Sequence, residues 1–412
     1  QTLRGLSTHG AMHWRGDRAD GFFGTDPCAE PGYAEANSTN APCDEDRAFR
    51  NFIVAFEGLI GKEGIITTNE MQLFTNFMLS VQLPPNPVRE LDNSLATPSG
   101  WSGNIQDGSD KWFSCGPGVT ECAQLDPAAS DTVEDCDGCH SLDPRNGFFG
   151  TGGEESFEGE PQHMKVPHNR NMYQKVGMFG MPNVDFNLPG DGSHMGDQVR
   201  GTGYIHNGST DTLFRFFTAD VFRNPGLLFN ETNVGFDGGD PQRRDVEQAM
   251  LAFDSDLAPV VGQQVTLDNT NLAEASGRLD LLEQRAGTPF VSAVLGGTTT
   301  ECDLVARGTW GNRSRSALYE PATDTYIPDS LADSPISAIE MRTMAQVPGQ
   351  AVTFTCVPPG SGQRIAWDRD GDGMRNHDES LSSTDPANPG SVSGACNDGI
   401  DNDGDGLIDL AD

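Results

Sequence analysis

Basic residues are scarce in this chain. Lysine and arginine together number 26 against 61 aspartates and glutamates, a formal charge of −35 over 412 residues. A surface of that sign repels nucleic acid and anionic lipid, which excludes both as partners, and it attracts divalent cations and basic proteins. Long apolar runs are missing as well. None approaches the ~18 residues that a membrane helix needs, so no membrane span is expected. No basic segment followed by an apolar one stands at the start, so any export signal is expected to have been removed or to lie outside this sequence. Hydrophobic residues make up only 35%, whereas glycine numbers 49 and proline 26, so irregular segments should be plentiful. A chain of this length is too long for one small core and points to two to four structural units.

What is present begins with the string Cys136-Asp-Gly-Cys139-His140. Two thiols at this spacing can add across the vinyl groups of a haem, and the adjoining His140 then reaches the iron as proximal ligand. Competing chemistry is weaker: a redox Cys-x-x-Cys does not need the histidine, and zinc would want a second ligand pair. Seven other cysteines remain. Proximity in sequence suggests Cys28–Cys43, Cys115–Cys122 and Cys302–Cys356 disulfides, although spacing alone does not fix the connectivity. Disulfides and acidic, glycine-rich loops fit an oxidising compartment, the periplasm or the cell exterior. Cys396 is left over, free or bonded to a sulfur beyond Asp412 or on another chain.

Periodicity places a helix over 46–60, with Phe49, Phe52, Ile53 and Phe56 on one face, and a second capped by Thr68, with Met71, Phe74, Phe77, Met78 and Val81. These aromatic and methionine stripes read as core. Residues 94–130 read as a connection rich in Gly, Ser, Pro and Asp. Leu213, Phe216 and Phe217 suggest a short helix, and Asp240-Pro241 opens another that runs to about Phe253. A weak internal echo relates Arg4 and His13, followed by a helix ending in prolines, to Arg170 and His206, followed by a helix ending at Pro259. Beyond 262 the texture changes: helices are expected over 271–286 and 338–345, and strands over 302–309, 316–319, 325–327 and 351–357.

The ligand opposite His140 decides what such a haem does. A Met or His closes the iron and makes an electron carrier, whereas an open site permits peroxide or oxygen chemistry. His163, Met164, His168, Met172, Met178, Met181, His194, Met195 and His206 are candidates. Met178 and Met181 share one glycine-flanked irregular stretch, where backbone and side chain can approach a porphyrin closely. The Met-Pro order at Met181-Pro182 matches the ligand of many small c-type cytochromes.

Residues 131–262 resemble the second half of the di-haem cytochrome c peroxidase superfamily. The strings that carry the resemblance are the Cys136/Cys139/His140 motif, Lys165-Val-Pro-His-Asn-Arg170-Asn171, and His206-Asn-Gly-Ser209 with Thr212-Leu213. With Met12-His-Trp-Arg-Gly-Asp17 they look more particularly like the large secreted c-type cytochromes of that superfamily. The resemblance favours Met178 as the distal ligand, and the expected order is Met178, then Met181, then His206. It implies Arg170 as partner of a haem propionate, and His13 and His206 near haem edges. The superfamily's peroxidases need two haems, and one motif is present here; this departure from the pattern counts against two-haem peroxidase chemistry and leaves electron transfer as the expectation.

A second kind of site lies in the acidic C-terminal stretch. Asp368, Asp370, Asp372, Asn376 and Glu379 fall at positions 1, 3, 5, 9 and 12 of a twelve-residue loop, with the Met374 carbonyl at 7 and Gly373 at the turn. Hard oxygen ligands in that order suit Ca²⁺. A second such loop holds Asp401, Asp403, Asp405, the Leu407 carbonyl, Asp409 and Asp412. Both resemble the loops of thrombospondin type 3 repeats and dockerin-type modules, and Thr384-Asp385-Pro386 adds to the likeness.

The expected architecture is a mainly α, cytochrome c-like, loop-rich fold, followed by a small α+β domain and a calcium-loop tail. Its divisions are a cytochrome-like half without its own haem motif (1–130), a c-type cytochrome domain (131–262), the α+β domain (263–364) and the calcium loops (365–412). The expected function is that of an extracellular or periplasmic, calcium-stabilised c-type cytochrome carrying single electrons through haem c to a redox protein partner. Self-association into a homo-oligomer or filament is a further expectation. The alternatives are a peroxidase-type fragment whose second haem lies upstream, and a structural protein assembled by calcium.

Overall fold

The computed structural model describes residues 3–8, 45–112, 168–177, 201–205, 208, 210–218, 236, 239–292, 295 and 297–391. The chain divides into two compact units: residues 1–256 with 292–294, and residues 257–291 with 295–412.

The described part of the first unit is built from short helices. In place of one helix over 46–60 there are three pieces: α1 (Glu45–Arg50), a 3-10 turn (Asn51–Ile53) and α2 (Val54–Gly58). The expected apolar face survives the breaks. Phe49 is buried with Leu6, Ile66, Met71 and Met78, and Phe52, Ile53 and Phe56 pack against them. The next helix, α3 (Thr68–Ser80), is capped by Thr67 and not by Thr68. The Thr67 hydroxyl accepts from the Glu70 amide at 3.1 Å, and the Glu70 carboxylate accepts from the Thr67 amide at 2.8 Å, a reciprocal box that satisfies two orphan donors. Only part of the expected α3 stripe is core: Met71, Thr75 and Met78 are buried, while Phe77 is 61% exposed.

A second core gathers Trp112, Met172, Tyr204, Leu213, Phe217, Phe236, Val246, Met250 and Phe253. It is framed by α4 (Ile105–Trp112), α5 (Leu213–Phe216) and α6 (Asp240–Leu251). Helix α4 corrects the expectation that residues 94–130 are a connection. Its sequence, Ile-Gln-Asp-Gly-Ser-Asp-Lys-Trp, hides its helix because Gly108 and Ser109 stand between the buried Ile105 and Trp112 on its inner face. The small residues let two backbones touch: a Cβ at Gly108 would stand 1.9 Å from the Asp245 carbonyl oxygen of α6. The end of α6 is held by Asn86, whose Nδ2 donates to the Leu251 and Phe253 carbonyls at 2.8 Å each.

The second unit is a six-stranded antiparallel sheet of β1 (Gln264–Leu267), β4 (Asp303–Trp310), β5 (Arg313–Glu320), β6 (Thr325–Pro328), β7 (Ile336–Ser337) and β8 (Val352–Val357). Its order is β1-β8-β4-β5-β6-β7, and β2 (Pro289–Ser292) and β3 (Gly297–Thr300) form a separate ribbon. Leu304 faces Cys356, and Ala306 faces Phe354, across the β4–β8 ladder. These alternate residues form one face, covered by α7 (Leu272–Ala286) through Leu279 and Leu282 and by α8 (Ala338–Ala345) through Met341. The other face carries Val305 and Val357, which α9 (Gly362–Ala366) covers with Ala366. The β4–β5 hairpin turns through Gly311 and Asn312, both at positive φ (59° and 62°), the geometry that matches strand twist in a two-residue turn. A disulfide joins Cys302 to Cys356, as the sequence suggests. On the helical side, Glu283 of α7 accepts from Tyr326 of β6 at 2.8 Å and from Arg342 of α8, tying three elements at one carboxylate.

The expectation of a mainly α, cytochrome c-like fold is therefore corrected. Only 36% of the described residues are helical, and their largest ordered feature is the antiparallel sheet. The physical reason lies in length and pairing. The described helices of the first unit run to 13 residues at most, whereas the stretch after 262 holds several strands that pair into one sheet. Its edge strands β1 and β7, of four and two residues, are too short to announce themselves by alternation.

Candidate metal centre

The twelve-residue loop over 368–379 begins where α9 ends, and its last four residues are the first turn of α10 (Asn376–Ser382). Two glycines make its tight winding possible: Gly371 and Gly373 have φ of 82° and 95°, a region that a side chain strains to enter. Backbone amides then aim the carboxylates. Asp368 accepts from Gly371 at 2.7 Å and from Gly373 at 2.9 Å, and Asp372 accepts from Met374 at 2.7 Å. Side-chain oxygens of Asp368, Asp370 and Asp372 consequently lie within 4.8 Å of one another.

Glu379 closes the group from α10 and is completely buried. Its carboxyl is pushed up to about 7, first by burial and then by the charges of Asp370, Asp372, Asp368 and Asp385. Both of its oxygens are buried without a hydrogen-bond partner, as are Asp370 Oδ2 and Thr384 Oγ1. When ionised, the three carboxylate oxygens among these can only accept. Chemically the arrangement suits a hard cation, which would satisfy several anionic oxygens at once.

The residues proposed from sequence fare differently. Asp368, Asp370 and Asp372 are brought together, and Glu379 lies near enough for their charges to raise its carboxyl. Asn376 sits at the loop's close, but its Oδ1 accepts from the Arg369 amide at 3.0 Å, so the backbone already uses that oxygen. The Met374 amide belongs to the Asp372 contact above. Thr384 and Asp385 add to the group from beyond the loop: the Thr384 amide donates to the Glu379 carbonyl at 3.0 Å, and Asp385 is close enough to raise Glu379. The available signal was the Thr-Asp-Pro string following the loop. The second loop, Asp401, Asp403, Asp405, Leu407, Asp409 and Asp412, lies outside the described residues.

The haem-related residues Cys136, Cys139, His140, Met178, Met181 and His206 also lie outside the described residues, as do Cys28, Cys43, Cys115, Cys122 and Cys396. Arg170 is described. It is 2% exposed, with its guanidinium 3.9 Å from Asp256, and burial draws its pKa down to about 10 against the opposing charges of Asp256 and Asp254. The chain thus places a carboxylate of its own near Arg170. His168 accepts the Arg170 amide at 3.2 Å, and Met172, another candidate ligand, is packed in the second core.

Comparison with known proteins finds no matching family model, no matching curated protein and no matching solved structure. Among the described residues, no helix is long and apolar enough to cross a membrane.

Proposed function

We propose that this chain is an exported c-type cytochrome that carries single electrons, and that calcium holds its second unit in shape. The haem part rests on the Cys136-Asp-Gly-Cys139-His140 string, with the Lys165–Asn171 and His206–Ser209 strings as support for kinship with the di-haem cytochrome c peroxidase superfamily. Haem supplies the redox chemistry when bound; the chain supplies Cys136 and Cys139 for attachment, His140 as proximal ligand, and Met178 as the favoured distal ligand. A closed Met/His iron suits electron transfer rather than peroxide turnover.

The calcium part rests on one observation. Glu379 is completely buried with both carboxylate oxygens unpartnered, beside three aspartates whose oxygens lie within 4.8 Å of one another. Without a cation these charges repel; with Ca²⁺ bound by Asp368, Asp370, Asp372 and Glu379 they become ligands. The surplus of acid over the whole chain suits a basic redox partner, and the disulfide and calcium chemistry suit the periplasm or the cell exterior.

Two measurements on the protein matured in a haem-attaching, exporting host test this reading. The reduced spectrum and its pyridine adduct should count one covalent haem per chain with a low-spin iron; a colourless protein would end the cytochrome reading, and a high-spin iron that turns over peroxide would move it to the enzyme. Calorimetric titration with CaCl₂ should show uptake by the chelator-stripped chain, and no uptake would end the calcium reading.

A further inference from the structure

The loop over 368–379 is bonded to more than itself. Five successive residues at the end of β6 and the turn after it, Ile327 to Leu331, each give a backbone group to the loop or its flanks. Trp367 Nε1 donates to the Ile327 carbonyl at 2.7 Å. Arg375 Nη1 donates to the Pro328 carbonyl at 2.7 Å and the Ser330 carbonyl at 3.1 Å, and its guanidinium carbon lies 4.8 Å from the Trp367 ring centre. The His377 amide donates to the Asp329 carbonyl at 3.1 Å, and Asp378 Oδ2 accepts the Leu331 amide at 2.9 Å.

The spacing of these residues matters. Arg375, His377 and Asp378 occupy loop positions 8, 10 and 11, between the carboxylates of the loop and Glu379 at position 12. On the first turn of α10, Glu379 is buried within the electrostatic reach of the aspartates, while its neighbours His377 and Asp378 hold the strand end. Anything that draws Glu379 toward Asp368, Asp370 and Asp372 therefore seats His377 and Asp378 on residues 329–331. Repulsion among the four carboxylates pushes the same turn away.

We propose that the loop is a calcium-conditional clasp on residues 327–331, so that the ion governs the order of the β6 end and the turn leading to β7. The inference rests on the calcium reading above and adds to it which part of the sheet the ion controls. It is a two-state coupling in which the cation binds one arrangement of α10 in preference to the other. The segment carries its own control. The Asp329 amide donates to the Ser316 carbonyl at 2.9 Å, and the Asp329 carboxylate is held by Arg315 at 2.7 Å, so that residue stays anchored to β5 whatever the loop does.

Amide hydrogen exchange on the full chain, in millimolar CaCl₂ and in chelator, tests the clasp alongside calorimetric titration with CaCl₂. Chelation should speed exchange at Leu331 and His377 by about tenfold or more, while Asp329 and the β4–β8 ladder keep their protection. Calcium uptake with unchanged exchange at Leu331 and His377 overturns the clasp and leaves the calcium site standing; no uptake removes both. The variant Asp378→Ala keeps the four proposed ligands and should still take up calcium, weakened by no more than the factor by which calcium slows exchange in the parent, with Leu331 exchanging fast in both conditions. Loss of uptake in that variant would place Asp378 among the ligands and overturn the clasp.

Discussion

At the scale of single residues, Glu379 is the most consequential side chain of the second unit. Its ordinary carboxyl value of 4.5 is raised to about 7 by burial and by four neighbouring aspartates. In the chelated protein the native state therefore holds this proton more tightly than the unfolded chain does. That contribution to stability is complete below 4.5 and is lost as pH rises through about 7. Calcium reverses the preference because it requires the carboxylate. Thermal unfolding in chelator should accordingly show a falling midpoint across that window, and calcium affinity should rise over the same window. Glu379→Gln separates the two roles. In chelator the amide relieves the repulsion and should unfold at or above the parent's midpoint; in calcium it should unfold below the parent, with affinity reduced by about tenfold or more. A midpoint lower than the parent's in both conditions would contradict this account. The spacing of the loop made Glu379 legible as a ligand, but not its complete burial, because burial depends on which surfaces close over it.

Among elements, the contact of α4 with α6 and the bond between Cys302 and Cys356 make opposite demands. The first is held by absence of side chain. Gly108→Ala forces a methyl to within 1.9 Å of a backbone oxygen that cannot step aside as a side chain end could, so the helices must separate. A destabilisation of about 1–3 kcal/mol is expected, read from urea unfolding of the first unit. The second is a covalent tie across 54 residues of sequence. Replacing both cysteines by alanine should cost roughly 2–4 kcal/mol, mainly by freeing the unfolded chain, and unchanged unfolding in reductant would argue against the pairing. The strands between these cysteines were readable from β-branched and aromatic runs, and α8 was readable to the residue, 338–345. Helix α4 was not, since Gly108 and Ser109 at the close crossing interrupt the apolar period between Ile105 and Trp112. On α3 the apolar period runs wider than the buried face: Phe77 is mostly exposed, while Phe74 keeps ring contacts with Phe49 and Phe56.

Over the whole molecule, the charge of −35 is the property that any partner meets first. If electrons pass to a basic protein, the association rate should fall steeply as salt rises, since screening acts within about 10 Å at 0.1 M. Stopped-flow reduction at increasing ionic strength checks this; a rate insensitive to salt would point to a partner chosen by shape or apolar contact. The division into two units bears on the choice of experiment, because haem chemistry is proposed from sequence in the first and calcium chemistry in the second. Loss of calcium should therefore register in amide exchange around residues 327–331 before it registers in the haem spectrum.

What the sequence determined by itself is whatever depends on spacing along the backbone: the order of carboxylates in the loop, the glycine at its turn, the paired thiols before His140, the surplus of acid, and the strands and helices with a clear period. What only the tertiary structure decided depends on residues far apart in sequence meeting in space. The strand order β1-β8-β4-β5-β6-β7, the approach of Asp256 to Arg170, the closing of water from Glu379 and the hold of Arg375 and Asp378 on residues 328–331 are of this kind. Local pattern records which side chains want to leave water, and the packing of the folded chain settles which partners they find there.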